Sequence, residues 1–352
     1  MTLLKIGGVL LVAGIAVSGA TPAQQGAPAA ATSTARAVDA AKAFLAALDD
    51  RQRTKVVLPL SADTRKVWSN LPTGIAMQVG ATERNGLKFG DLTPAQQNAA
   101  LALVGATLSR AGYEKVMHIV NADQALEVSS APSRPAGAKI RFGRAEYYVA
   151  ILGTPSTTSR WMIQFGGHHL AINVTVSGQD SVLTPTHTGA QPATYTLNGE
   201  TIKPLGREND KAFALMTALD ATQRKQALLG YQVRNLVLGP GEDGKVIQPE
   251  GVRASTLTAA QREMLLDLVG EWVNILNDGA AAAKMAEVRR NLGDTYFAWA
   301  GSTTNGEPAY FRVQGPTVLI EYAPQGANNS TDHIHTIYRD PTNDYGPKLA
   351  TR

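Results

Sequence analysis

Two short stretches of this chain hold four of its six histidines, and their spacing is that of metal ligands. The first is WMIQFGGHHLAINVTV, from Trp161 to Val176. It reads as a strand, a Gly-Gly turn, the adjacent His168 and His169, and a second strand. The second is DHIHTIYRDPTNDYG, Asp332 to Gly346, which follows the strand-like AYFRVQGPTVLIEYAP of Ala309 to Pro324. Alternate residues of a strand share a face, so the rings of His333 and His335 leave the same side. His169, Ala171 and Asn173 share a face in the same way. His168 keeps the apolar company of Leu170, Ile172 and Val174, so a core-facing, hydrogen-bonded imidazole is its plain alternative. Adding Glu321 and His169 to the His-x-His pair gives three nitrogens and an oxygen, a set suited to zinc, or to copper or iron with open positions. Cysteine is absent, so no thiolate can contribute.

A His-x-His pair alone is a weak signal. Combined with His-His and a strand carboxylate, in a chain with six histidines, it is more specific. Three readings stand at this level: a metal site with His168, His169, His333, His335 and Glu321 as candidate ligands, a hydrogen-bonded structural cluster, and a metal-free polar pocket. In a metalloenzyme, Glu321 or Asp340 could act as general base, and Asp340 could instead orient an imidazole. The plainer role for Asp340 is a turn with Arg339, Pro341 and Gly346. His187, in TPTHTGAQPATY, reads as a solvated loop residue. His118, within a helix, reads as structural. Arg65 and Trp68, in SADTRKVWSNLP, could line a pocket, and packing beneath a sheet explains Trp68 equally well.

The elements that must position these residues come in two rounds. AVDAAKAFLAALDDRQRTKVVL, from Ala37, carries the i, i+3, i+4 apolar spacing of a helix. LTPAQQNAALALVGATLS follows with Thr93 as N-cap, Pro94 at the first helical position and Gln96 completing a capping box. A third helix is expected over Tyr113 to Leu126. Strand text rich in aromatic and β-branched residues comes next. The order then recurs: Leu48-Asp49 as Leu219-Asp220, 171 positions on; Leu92-Thr93 as Leu257-Thr258, 165 on; Tyr148-Val149-Ala150 as Tyr296-Phe297-Ala298, 148 on. Offsets that shrink in order are what shortened loops between duplicated elements produce. Helices followed by strands, twice, imply an α+β fold with largely antiparallel sheet and a pseudo-two-fold arrangement. The expected divisions are a first repeat over 37–200 and a second over 201–352, joined as one unit. The 148-residue offset maps Asn173 onto Glu321 and His187 onto His335.

Lys5, the twelve apolar residues Ile6 to Val17, and Ser18-Gly19-Ala20 form the pattern of a secretory signal peptide over 1–20. The run is too short to span a bilayer, which needs roughly 20 residues. An uncleaved anchor is the alternative. Residues 21–36, rich in Ala, Pro, Gln, Ser and Thr, read as a flexible linker. A periplasmic or secreted protein follows, with no membrane partner once the leader is removed. Its net charge of +4 is scattered and aromatics are 6% of residues, which argues against nucleic acid. No G-x-S-x-G elbow, H-E-x-x-H helix, phosphate loop or dinucleotide fingerprint occurs.

At GGHHLAINVTV, TPTHTGAQPA and IEYAP…DHIHTIYRDPTNDYG the chain resembles the exported proteins grouped as domain of unknown function 3500, over about Ala37 to Gly346. The resemblance implies that Gly167, His168, His169, Glu321, His333, His335, Arg339, Asp340 and Asp344 match the family's motifs. The His187 position in that family is more often aromatic, which weakens His187 as a ligand. The family implies no reaction. Two functions are therefore carried forward. One is an exported metalloenzyme doing metal-assisted hydrolysis or oxidative chemistry on an unspecified small-molecule or polymer substrate. The other is a non-catalytic binding or structural protein built around a histidine cluster.

Overall fold

The structure, a computed structural model, describes residues 29–75, 83–326 and 330–349. The signal peptide expected over 1–20 lies outside the described residues. In chain order the elements are α1 (Ala29–Ala46), α2 (Asp50–Val56), β1 (Val57–Leu58), β2 (Leu87–Lys88), α3 (Pro94–Thr107) and α4 (Arg110–Ser130). They continue with β3 (Tyr148–Leu152), β4 (Trp161–Gly167), β5 (Leu170–Ser177), β6 (Asp180–Val182), β7 (Thr186–Ala190), β8 (Tyr195–Leu197) and β9 (Glu200–Ile202). Next come α5 (Gly206–Ala218), α6 (Ala221–Ala227), β10 (Val252–Arg253), α7 (Ala259–Val273) and α8 (Asp278–Arg290). The last strands are β11 (Tyr296–Gly301), β12 (Ala309–Gly315), β13 (Val318–Gln325) and β14 (Ser330–Arg339). α1 takes in residues 29–36, the second half of the expected linker. Alanine is the strongest helix former, so an Ala-rich run prolongs a helix where its composition alone resembled a tether.

Helix starts follow the local chemistry of the sequence. Asp49 and Gln52 form a capping box at α2, Thr93 and Gln96 at α3, Asp220 and Gln223 at α6, and Thr258 and Gln261 at α7. Each box satisfies two backbone donors that an open helix end would leave without partners. The glutamines also join the helices in pairs. Gln96 Nε2 donates to Gln52 Oε1 at 2.9 Å, and Gln261 Nε2 to Gln223 Oε1 at 2.8 Å.

All strands but β8 and β9 form one mixed sheet of order β1-β3-β4-β5-β7-β14-β13-β12-β11-β10, with β2 beside β3 and β6 beside β5. β1 and β3 are parallel and the other ladders are antiparallel. The helices cover one face, against which Ile163, Phe165, Leu170, Ile172, Phe311, Val313, Ile320 and Tyr322 are buried. Trp299 and Phe311 stack with ring planes 16° apart, and Phe311 and Tyr322 with planes 11° apart. The opposite face carries Gln164, Asn173, His187, Glu321 and Arg312, all buried. A polar row of that kind needs partners, and the irregular segments around Thr64–Asn70 and Leu236–Gly239 supply them. Gln164 Nε2 donates to Arg65 O at 2.9 Å, and Leu238 N–H donates to Glu321 at 2.7 Å.

Candidate metal centre

The centre forms where β5, β7 and β14 meet in the middle of the sheet. His168 and His169 are the two loop residues of the β4–β5 hairpin, and His169 has φ 64°. A left-handed φ is uncommon for a residue with a side chain. Here the conformation is held from both sides: His169 N–H donates to Asn70 O at 3.0 Å, and Tyr147 Oη donates to His168 O at 2.8 Å. The turn leaves the two imidazoles side by side, His168 against Asp123 of α4 and His169 over β7. The His169 ring lies above Gly189, where a Cβ would stand 3.1 Å from His169 Cδ2 and 2.7 Å from Ile334 O. Glycine there is a matter of space. Gly189 is paired with His335 across the β7–β14 ladder, so His169 and His335 face each other over a strand with no side chain between them.

Three Nε2 atoms converge. His169 Nε2 is 2.8 Å from His333 Nε2, which is 3.1 Å from His335 Nε2. Donor atoms of all three residues lie within 4.8 Å of one another. His333 and His335 project together because Ile334 between them is buried in the core under the helices. A neutral imidazole nitrogen carries either one hydrogen or one lone pair, never both. His333 Nε2 can therefore serve one of its two close neighbours as a donor or an acceptor, and protons cannot satisfy all three atoms. Nor can added charge do so. Burial and the neighbouring imidazoles hold His169 and His335 well below the ordinary histidine range, and burial takes His333 down to about 4. The three rings are neutral at pH 7, the form that ligates metal.

Two further histidines and an aspartate border the trio. His168 Nδ1 lies 2.6 Å from Asp123 Oδ1, and Asp123 Oδ2 accepts from Gly143 N–H at 2.7 Å. The His168 ring rests on that of His169, centroids 3.7 Å apart. Asp123, His168 and His169 form a second group whose donor atoms could hold an ion. His187 is fully buried on β7, with its ring 5.0 Å from that of His335. Its Nδ1 is 3.3 Å from His169 O, whereas its Nε2, like His169 Nδ1, is buried without a partner among the described residues. The expectation of a solvated loop histidine fails because TPTHTG is a central strand with both faces covered. His118 lies apart from this group, half-buried on α4.

The two carboxylates expected at the centre are elsewhere. Glu321 is on the same sheet face as His335, but its oxygens accept from Val237 N–H at 3.0 Å, Leu238 N–H at 2.7 Å and Tyr310 Oη at 2.5 Å. It anchors a loop. Asp340, five residues beyond His335, pairs with Lys284 at 2.5 Å and accepts from Thr342 N–H and Oγ1. It closes a turn, the plainer of its two sequence readings. Asp123 was missed, although a signal existed: Val116, Ile119, Val120 and Asp123 follow helical spacing, which puts a carboxylate on the apolar stripe of α4.

His335 opens on a cleft of about 530 Å³, walled by Lys66, Trp68 and Asn70 on one side and by Asn235, Pro240 and Glu242 on the other. Glu242 is the carboxylate that reaches this cleft, paired with Lys245 at 3.1 Å.

The family described as "Protein of unknown function (DUF3500)" matches residues 30–347. The chain belongs to that family. No curated protein and no solved structure matches it. Among the described residues, no helix is long and apolar enough to cross a membrane.

The depressed pKa values carry a pH prediction for metal-free protein. Burial takes His187 down to about 3, against 6.5 for a free histidine. Above pH 6.5 both folded and unfolded states hold it neutral and it contributes no pH dependence. As pH falls from 6.5 toward 3 the unfolded chain takes up a proton that the folded state refuses, so stability falls. The loss is about 1.4 kcal/mol per pH unit for a fully buried histidine. Urea unfolding at pH 7.5 and pH 5 should show this drop, reduced in His187→Phe. Equal stability at the two pH values would contradict the neutral, buried cluster.

Proposed function

We propose that this chain is an exported metalloenzyme that holds one divalent transition-metal ion on Nε2 of His169, His333 and His335. The carrying observation is the run of Nε2 contacts at 2.8 and 3.1 Å among three neutral imidazoles, which a cation satisfies and protons do not. The spacing also fits: nitrogens bound at about 2.05 Å to a tetrahedral ion stand about 3.3 Å apart, a few tenths from the distances here. Three imidazoles without thiolate suit zinc, copper or iron. Three protein ligands leave a position open, as in catalytic and not structural sites. His168 acts beside the centre, oriented by Asp123, as a buttress to the His169 ring.

A metal there would supply a Lewis acid or a water acidified to a pKa of about 7. The chain's own contribution is the cleft at His335, whose lining includes the Glu242 carboxylate, a candidate proton acceptor. That carboxylate favours hydrolysis over oxidative chemistry, with a small molecule or the end of a polymer as substrate. Export rests on the leader pattern in residues 1–20.

Two duplicated halves about a pseudo-two-fold account for the shape of the centre. Ladder registers at the sequence offsets support this. Val57↔Ile151 has its counterpart in Leu228↔Trp299, Leu87↔Val149 in Val252↔Phe297, and Tyr148↔Gly166 in Tyr296↔Gln314. The halves would then join along β7 and β14, the seam that carries His187 and His335.

Elemental analysis of purified protein tests the metal. About one equivalent of zinc, copper or iron is expected, falling to background in His333→Ala and in His335→Ala. Protein that takes up no ion from excess of each metal, or variants that keep it, would end this reading.

A further inference from the structure

The cleft at His335 does not end at its own walls. Lys66 and Glu242 also line a second cavity of about 310 Å³, which reaches Arg65, Asp243, Arg339 and Tyr345. Most charges in that second cavity are matched. Arg339 donates to both Asp243, at 2.9 Å, and Asp344, at 2.8 Å, and Lys245 pairs with Glu242. Arg65 is different. Its guanidinium makes no hydrogen bond or ion pair among the described residues, and its Nε is buried without a partner. It is held by the face of Tyr345, 5.2 Å from the ring centroid. The backbone beneath it is fixed, since Arg65 O accepts from Gln164 and Thr64 O accepts from Asn85 at 2.7 Å. Tyr345 is fixed as well, accepting from Trp68 Nε1 at 2.9 Å and donating to Asp243 at 3.1 Å. Lys66, exposed and without an ion-pair partner among the described residues, lines both cavities.

The buried Nε without an acceptor costs stability, and the half-buried guanidinium leaves its remaining N–H groups free in a cavity, which together point to an absent acceptor. Its planar fork matches a carboxylate or a phosphate, and stacking on an aromatic ring leaves that fork free. We propose that Arg65, with Lys66, is an anion-binding subsite at the far end of one groove that begins at His335, and that the substrate of this centre carries a carboxylate or phosphate group. The anion site stands on Arg65 alone. Only its link to substrate rests on the metalloenzyme reading.

Titration calorimetry at low ionic strength, with inorganic phosphate and with glucuronate as probes, tests this in the His335→Ala background, where anions cannot bind a metal ion. One of the two should bind at a single site. Binding should weaken about tenfold or more in Arg65→Met, and also in Arg65→Lys, which keeps the charge but loses the fork. The stronger probe names the acid group. Binding in His335→Ala that vanishes with Arg65 supports the subsite even if the protein holds no metal. Failure of both probes to bind, or binding by folded Arg65→Met as tight as that of the protein that keeps Arg65, would overturn it.

Discussion

Metal-free protein, prepared with a chelator, should melt about 8 °C below the same protein in zinc at 1,000 times its dissociation constant. An ion that binds the folded state alone stabilises it by RT ln(1 + [L]/Kd), about 4 kcal/mol at that ratio. For a chain of this size each kilocalorie moves the midpoint by about 2 °C. The effect follows from how the ligands are spread. His169 comes from the β4–β5 hairpin and His333 and His335 from β14, 164 residues away along the chain. The unfolded chain keeps the His-x-His pair but loses the third nitrogen. His169→Ala should therefore abolish most of the difference. Melting curves that superimpose with and without metal would mean that the imidazoles hold no ion.

The second large effect is expected at a residue outside the centre. Glu321→Ala should destabilise the protein by about 3–5 kcal/mol, the range for breaking a buried charged network. Val237 N–H, Leu238 N–H and Tyr310 Oη would each lose their acceptor. The adjoining Leu238 O and Gly239 O are held from the other side by Arg339, at 2.7 and 2.9 Å. Glu321 and Arg339 thus clamp the segment that continues into Pro240 and Glu242, one wall of the cleft. Metal content should stay near one equivalent while the wall loosens. Chemical denaturation and elemental analysis of the same sample separate the two roles. If Glu321→Ala loses its metal while its stability is unchanged, Glu321 is a ligand after all.

Glu321 shows where sequence reading stopped. The sequence grouped it with the His-x-His pair as a ligand, and the β13–β14 ladder puts it on the same face as His335 through Glu321↔Ile337 and Ala323↔His335. What alternation cannot give is the partner arriving from outside the sheet, because the 236–239 segment has no periodic pattern to follow. His187 was misread for a related reason. Thr-Pro-Thr-His-Thr-Gly has loop composition, yet it lies between β5 and β14 with His187 wholly buried. Burial at the centre of a wide sheet is set by neighbours far away in sequence. The capping boxes, the hairpin at His168-His169 and the common face of His333 and His335 were legible because each depends on residues at most a few positions apart. Asp123 lay between these cases, visible as a carboxylate on an apolar helical stripe but without any local sign of its partner His168.

The central claim is that three imidazoles from two distant segments share one ion. X-ray absorption at the edge of the metal recovered with the protein, read for wild type and His333→Ala, tests it most directly. Three imidazole nitrogens at about 2.0–2.1 Å are expected in the wild type, with the ion lost in the variant. An ion without imidazole scattering, or a spectrum that His333→Ala leaves unchanged, would contradict the account.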